Sequence, residues 1–150
     1  MRRTDRQRDA AFAWEVFDRA PYAVLSVRDG EGGYGIPVSP ARVGETIYFH
    51  SAPAGKKLDC LRKWPEATLT AAEVLGPERF SVRYRSAVAC GRVIPVEDPA
   101  EKLEALRAIT RRYCPQDLPD FDAYAPPILK STFVWRMEVS EITVKERTPG

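Results

Sequence analysis

The chain reads as a mainly β, α+β protein: an antiparallel barrel with helices packed outside it. Three observations lead there. Short apolar or alternating runs, bounded by glycine and proline, recur along most of the 150 residues, whereas only a few stretches carry helical spacing. Residues 79–96 form the longest such run. Phe80, Val82, Tyr84, Val88, Cys90 and Ile94 fall at its even positions, with Arg79, Arg83 and Arg85 at odd ones, so the period of two predicts a strand with its even face buried. Glycine-rich connections such as Asp29-Gly30-Glu31-Gly32-Gly33 read as hairpin turns.

Each element has its own signal. Residues 4–19 predict a helix, with Thr4 and Gln7 spaced as a capping box and Phe12, Val16 and Phe17 on one face, until Pro21 ends it. Residues 22–27 predict a strand. Residues 34–41 predict a second, which Pro37 and Pro40 assign to an edge or to broken pairing. Gly44-Glu45 turns into a third strand, residues 46–51. Residues 56–63 predict a short helix stopped by Trp64-Pro65. Residues 67–75 are a fourth strand, with Gly76-Pro77 as its turn into the long run, where Gly91 marks a bulge or bend. Asp98, Pro99 and Glu101 supply an N-cap, a proline at the first helical position and an acid at the third, and Leu103, Leu106, Ile109 and Tyr113 give that helix its buried stripe. Residues 115–127 predict a proline-rich loop, and residues 131–139 and 141–147 two final strands.

Composition sets limits. The length fits one domain with a modest core, and 44% hydrophobic residues suffice to build it. Twenty-three basic residues against twenty-one acidic ones leave a net charge of +2, too even for a bulk nucleic-acid binder. No run approaches the roughly 20 apolar residues of a membrane span, and no apolar core follows Met1-Arg2-Arg3 to make a secretory signal. Cys60, Cys90 and Cys114 have no CxxC spacing, so they read as reduced thiols of a cytoplasmic protein. With a single histidine, His50, they argue against a structural zinc site.

The chemistry concentrates in Tyr48-Phe49-His50-Ser51-Ala52 and the following Gly55-Lys56-Lys57-Leu58. An apolar strand ends in polar residues, then glycine and two lysines open a helix. A helix N-terminus offers free N–H groups and a positive dipole end, so an anion, naturally a phosphate, suits this place. The two lysines oppose the dipole unless such an anion is present. The bland alternatives are a solvated helix start for Lys56 and Lys57, a surface position for His50 and a surface arginine at Arg85. Ser86 interrupts an otherwise apolar face. Trp135 stands between core or dimer packing and ligand contact, while Trp14 and Trp64 read as packing residues and Cys60 as inert.

In order, the motifs are Met1-Arg2-Arg3-Thr4-Asp5-Arg6; Gly35-Ile36-Pro37-Val38; Ile47 to Ala52 with Gly55-Lys56-Lys57-Leu58; Tyr84-Arg85-Ser86-Ala87-Val88 through Gly91; and Glu101-Lys102 with Ala105-Leu106. This succession, spanning residues 1 to 113, resembles the split-barrel flavin-binding superfamily that includes pyridoxamine 5′-phosphate oxidase, and within it the 5-nitroimidazole-resistance subfamily. The C-terminal strands match more weakly. The resemblance implies a six-stranded antiparallel split barrel with flanking helices, and a homodimer holding FMN between its subunits. It lays the strand of Ile36, Pro37, Val38 and Ser39 along the flavin ring. Phe49, His50, Ser51 and Ala52 supply contacts, Lys56 and Lys57 the phosphate site, and Arg85 and Ser86 further contacts, with Trp135 a candidate. The physics agrees: the lysines suit a dianionic phosphate, Arg85 can fork onto two of its oxygens, and Val38 and Pro40 offer the ring an apolar wall. His50 could bind flavin, polarise a substrate or carry a proton. The implied activity is an FMN-dependent oxidoreductase acting on a small acceptor such as a nitroaromatic. The alternatives are a flavin carrier without turnover, or a haem protein with His50 as axial ligand.

Overall fold

The computed structural model of the protein describes residues 6–147. The capping box read at Thr4, and most of the N-terminal basic motif, lie outside the described residues. The first helix, α1 (Ala10–Arg19), begins later than residues 4–19 predict. Gln7 is instead held in an antiparallel bridge with Lys145, and Asp9 caps the helix by accepting the N–H of Phe12 at 2.8 Å. Ala13, Val16 and Phe17 form its buried face.

The strands β1 (Ala23–Asp29), β2 (Gly32–Val38), β3 (Ala41–Val43) and β4 (Thr46–Ser51) follow, then α2 (Lys56–Lys63), β5 (Glu66–Glu78), β6 (Ser81–Pro95), α3 (Pro99–Tyr113), a 3-10 segment (Pro115–Asp120), α4 (Phe121–Ile128) and β7 (Phe133–Arg147). All pairings are antiparallel, and the hydrogen-bonded order is β2-β1-β5-β6-β7-β4-β3. This is the split barrel with flanking helices. Seven strands are counted where the resemblance implies six, because Ser39-Pro40 separates β2 from the three-residue β3. Those two consecutive strands are the two edges of the sheet, so two linking residues join its margins.

The hairpins obey local rules. Gly30 (φ 61°) and Gly44 (φ 60°) each open a two-residue turn in the left-handed region that glycine enters without strain. The turn predicted at Gly76-Pro77 lies instead inside β5, at a bulge, and the chain reverses at Arg79-Phe80. Phe80 adopts φ 54° there and is 96% exposed.

The even-face expectation for the long strand is overturned. Ala87, Ala89, Gly91 and Val93 are buried, whereas Val82 and Phe80 are exposed and Tyr84, Val88, Cys90 and Ile94 only half-buried. The buried face takes small residues, and α1 packs on it through Ala13 and Val16 against Ala87 and Val144. Gly91 does mark a bulge: the register shifts there, and a Cβ would collide with the carbonyl of Glu138 on β7. The two predicted final strands are therefore one, because the bulge lets β7 bend past Ser140 without breaking its ladder. The loop expected at residues 115–127 holds the 3-10 segment and α4. Pro115 starts the former, and Phe121 and Ala125 anchor the latter against Tyr48, Val96, Leu106 and Val134. The main core gathers Phe17, Leu25, Phe49, Leu61, Leu69, Trp135 and Met137 inside the barrel. Each such side chain contributes about 1.5–3 kcal/mol by leaving water.

Candidate functional site

A cavity of about 250 Å³ opens where β2 and β4 end and α2 begins, lined by Tyr22, Pro37, Val38, Ser39, His50 and Lys57. Its position follows from the sequence. β2 is an edge strand that tolerates Pro37, and β4 runs out at His50-Ser51. Gly55 then turns at φ 138°, a conformation that L residues rarely adopt, to start α2. Gly55 offers no side-chain oxygen to the helix start, and its carbonyl takes the N–H of Leu58 at 2.9 Å, so the N–H groups of Lys56 and Lys57 are the ones left for an external acceptor.

The two lysines have different fates. Lys56 forms an ion pair with Asp29 at 2.7 Å and lies over the Tyr34 ring at 4.7 Å. The hydrogen bond to Asp29 leads the causes that raise its pKa. Lys57 lines the cavity with no carboxylate partner among the described residues, and burial lowers its pKa. His50 beside it is exposed to the cavity. Desolvation by the surrounding protein, then the charge of Lys57, lowers its pKa from 6.5, so the ring is neutral near pH 7. The corner thus holds an uncompensated cation, a neutral imidazole, the Ser39 hydroxyl and the apolar faces of Pro37 and Val38.

Other expected residues lie elsewhere. Phe49 is fully buried, and Trp135, 3% exposed, donates from Nε1 to Ser51 Oγ at 3.1 Å. Ser51 Oγ in turn donates to the carbonyl of its neighbour Ala52 at 3.0 Å, so these groups are committed to packing and to one another. Ile36 is half-buried against the core. Ala52 is exposed at the strand end.

Arg85 and Ser86 stand at the opposite end of the sheet. Arg85 pairs with Glu146 near the end of β7, whereas His50 pairs with Val134 near its start. Arg85 Nε donates to Glu146 at 2.8 Å and its Nη1 lies 3.6 Å from Glu73. Ser86 lines a separate cavity of about 330 Å³ with Val88, Glu141, Thr143, Val144 and Lys145. Within one chain these two residues do not join the His50–Lys57 corner. The sequence reading missed Tyr22 as a cavity residue, although an aromatic directly after a helix-ending proline was its available signal.

This combination, a split barrel whose edge strand, β4 end and α2 start enclose one cavity, defines a class of small barrels with a candidate site at the seam. A family model described as pyridoxamine 5′-phosphate oxidase matches residues 9–146. The chain belongs to that family. A search of curated proteins finds no match. Among solved structures, a candidate 5-nitroimidazole antibiotic resistance protein of Bacteroides thetaiotaomicron is similar at TM-score 0.79 and 24% identity, over 92% of this chain and 84% of that one. The flavocytochrome Anf3 of Azotobacter vinelandii is similar at TM-score 0.83 and 22% identity, over 99% and 72%. An FAD- and haem-binding protein of Mycobacterium smegmatis gives 0.82 and 21%, over 96% and 74%. At these identities the likeness is one of fold.

Proposed function

We propose that the chain is a homodimeric flavoprotein that binds FMN at the Pro37–Lys57 corner and passes electrons through it to a small acceptor, with nitroaromatics the first class to test. The observation that carries this reading is the convergence of Lys57, His50 and the uncapped start of α2 on the end of β2. Lys57 and the free N–H groups suit the phosphate, Val38 and Pro37 the ring face, and Ser39 and His50 its polar edge. The bound cofactor supplies the electron chemistry, while the chain orients it and limits water.

The second protomer is argued from the far end of the sheet. One face of the barrel carries Val74, Val82, Tyr84, Val88 and Thr143 on paired strands, with Val74 75% and Val82 45% exposed. The sequence alternates there as for a buried face, so a second copy is the cover that reconciles pattern and exposure. Ser86, on that face, reaches a flavin only from such a partner, whereas Arg85 turns to the other face, where Glu146 and the Phe12 ring hold it. The neutral, exposed His50 and the haem-binding neighbour support a second reading, haem with His50 as axial ligand.

The test is the absorbance of the purified protein after incubation with FMN and removal of the excess. Retained twin bands near roughly 370 and 450 nm support the reading. A colourless protein that also leaves FMN fluorescence unquenched overturns it, and a Soret band after haem addition favours the second reading. Light scattering that finds a 16.9 kDa monomer removes the shared site.

A further inference from the structure

Arg112, in the last turn of α3, makes contacts that helix geometry alone does not explain. Its Nη1 donates to the carbonyl of Pro40 at 2.7 Å, and its Nη2 to the carbonyls of Phe17 at 2.6 Å and Ala20 at 2.8 Å. The neighbouring Tyr113 hydroxyl donates to the same Pro40 carbonyl at 2.9 Å. The guanidinium also lies over the rings of Phe17, at 5.7 Å, and Tyr113, at 5.0 Å. Among the described residues it has no carboxylate of its own: Asp18, the nearby acid, is taken by Arg42 at 2.7 Å. Burial, with the charge of Arg42 adding to it, lowers the pKa of Arg112 against the opposing influence of Tyr113 and Asp18. A half-buried cation spent wholly on backbone carbonyls is an expensive way to tie loops together unless their position matters.

The carbonyls it holds bound the candidate site. Ala20 ends α1 two residues before Tyr22, and Pro40 directly follows Ser39; both Tyr22 and Ser39 line the His50–Lys57 cavity. The Ser39-Pro40 link is also where the two edges of the sheet meet without a ladder to hold them. Phe17 and Ala20 present last-turn carbonyls of α1, which a cation suits by charge as well as by hydrogen bonding.

We propose that Arg112 is a positioning residue for the flavin corner: by gripping Pro40 together with the end of α1, it fixes Ser39 and Tyr22 opposite His50 and Lys57. The inference rests on the flavin reading of that cavity. Tyr113 is its junior partner, acting on Pro40 alone. A lysine at 112 cannot replace it, because one ammonium cannot span carbonyls that the planar fork reaches from both arms.

The experiment uses the full chain and the variants Arg112→Gln, Arg112→Lys and Tyr113→Phe. It reads FMN affinity by fluorescence quenching and hydrogen exchange of the cofactor-free proteins. Expected for Arg112→Gln is faster exchange in residues 17–22 and 38–42, unchanged exchange in the β6–β7 ladder, and FMN binding about tenfold weaker. Arg112→Lys is expected not to restore either readout. Tyr113→Phe should speed exchange only in residues 38–42 and weaken FMN binding about threefold, an asymmetry that general loosening would not produce. A folded Arg112→Gln variant with wild-type exchange in both segments overturns the proposal, as does faster exchange with unchanged FMN affinity. If Arg112→Gln does not fold, Tyr113→Phe decides: unchanged exchange at 38–42 overturns it. If the wild-type chain itself binds no FMN, the flavin reading fails separately, and exchange alone decides whether Arg112 holds the wall.

Discussion

The two ends of the sheet treat charge in opposite ways. At the far end, Glu146, 8% exposed, accepts from Arg8 at 3.0 Å and from Arg85 at 2.8 Å, and Arg147 pairs with Glu78 at 2.9 Å. At the seam, Lys57 and His50 face a cavity with no carboxylate among the residues lining it. One end is neutralised by its own chain and serves the fold. The other keeps a cation without a counter-ion, which costs stability and makes sense where an anionic ligand completes the balance. The split between Lys56, satisfied by Asp29, and Lys57, left open, repeats this contrast within two adjacent residues.

The largest disturbance to this arrangement is expected midway between the ends. Gly91→Ala drives a methyl group into the Glu138 carbonyl and removes the bend that β7 needs, at a cost of about 4 kcal/mol or failure to fold. Urea unfolding measures this, and a loss below about 1 kcal/mol would show that the bulge is not tight. Next comes the neutralised end. Burial would raise the pKa of Glu146, but hydrogen bonds and charge from Arg8 and Arg85 outweigh it and lower the pKa. Glu146→Gln is therefore expected to cost about 2–3 kcal/mol at pH 7. The carboxylate's contribution is lost as pH falls below 4.5 through the lowered folded value, so wild type and variant converge in acid. Parallel stability–pH curves for the two would show that the charge contributes nothing.

At the open end the expected effects fall on binding. Lys57→Ala should weaken FMN binding about tenfold with little loss of stability, and Lys56→Ala by about threefold or less. Equal losses from the two variants would erase the distinction drawn between them. The smallest effect concerns His50. Its folded pKa lies below 6.5, so the unfolded chain takes up the proton first as pH falls. Stability associated with this residue is present above that value and is lost below it. Between about pH 7.5 and 5.5, melting temperatures should drop further for wild type than for His50→Gln, and equal drops would remove the desolvation argument.

What the sequence could reveal depended on how local the cause was. α2 matches its predicted limits and α3 its predicted start because Trp64-Pro65 and Asp98-Pro99-Glu101 act within one turn of the chain. The β4 limits and the Gly91 bulge were equally legible. The burial of β6 was not. An apolar even face looks the same in a sequence whether a core or a second copy covers it, while the true interior face is written in Ala87 and Ala89, which seem neutral. α4 escaped because Pro126 and Pro127 mask a helix that tertiary packing holds. At the site, motif order brought out Pro37, Val38, Ser39, His50 and Lys57, which the fold brings together. Periodicity carries no information on the contacts of Arg112, whose partners are backbone carbonyls far away in the chain.

The Ser39-Pro40 link has a topological consequence. Because it joins the two margins of the sheet, it is the leash that keeps a strip of strands curled into a barrel. Joining the two ends of this 150-residue chain through a linker and reopening it at Gly44-Glu45 would keep that leash, since the paired strands β3 and β4 still hold each other across the cut. Reopening it between Ser39 and Pro40 would leave every ladder intact on paper and yet free the margins to part. Circular permutants of this chain should therefore tolerate new ends at the hairpin turn far better than at the seam.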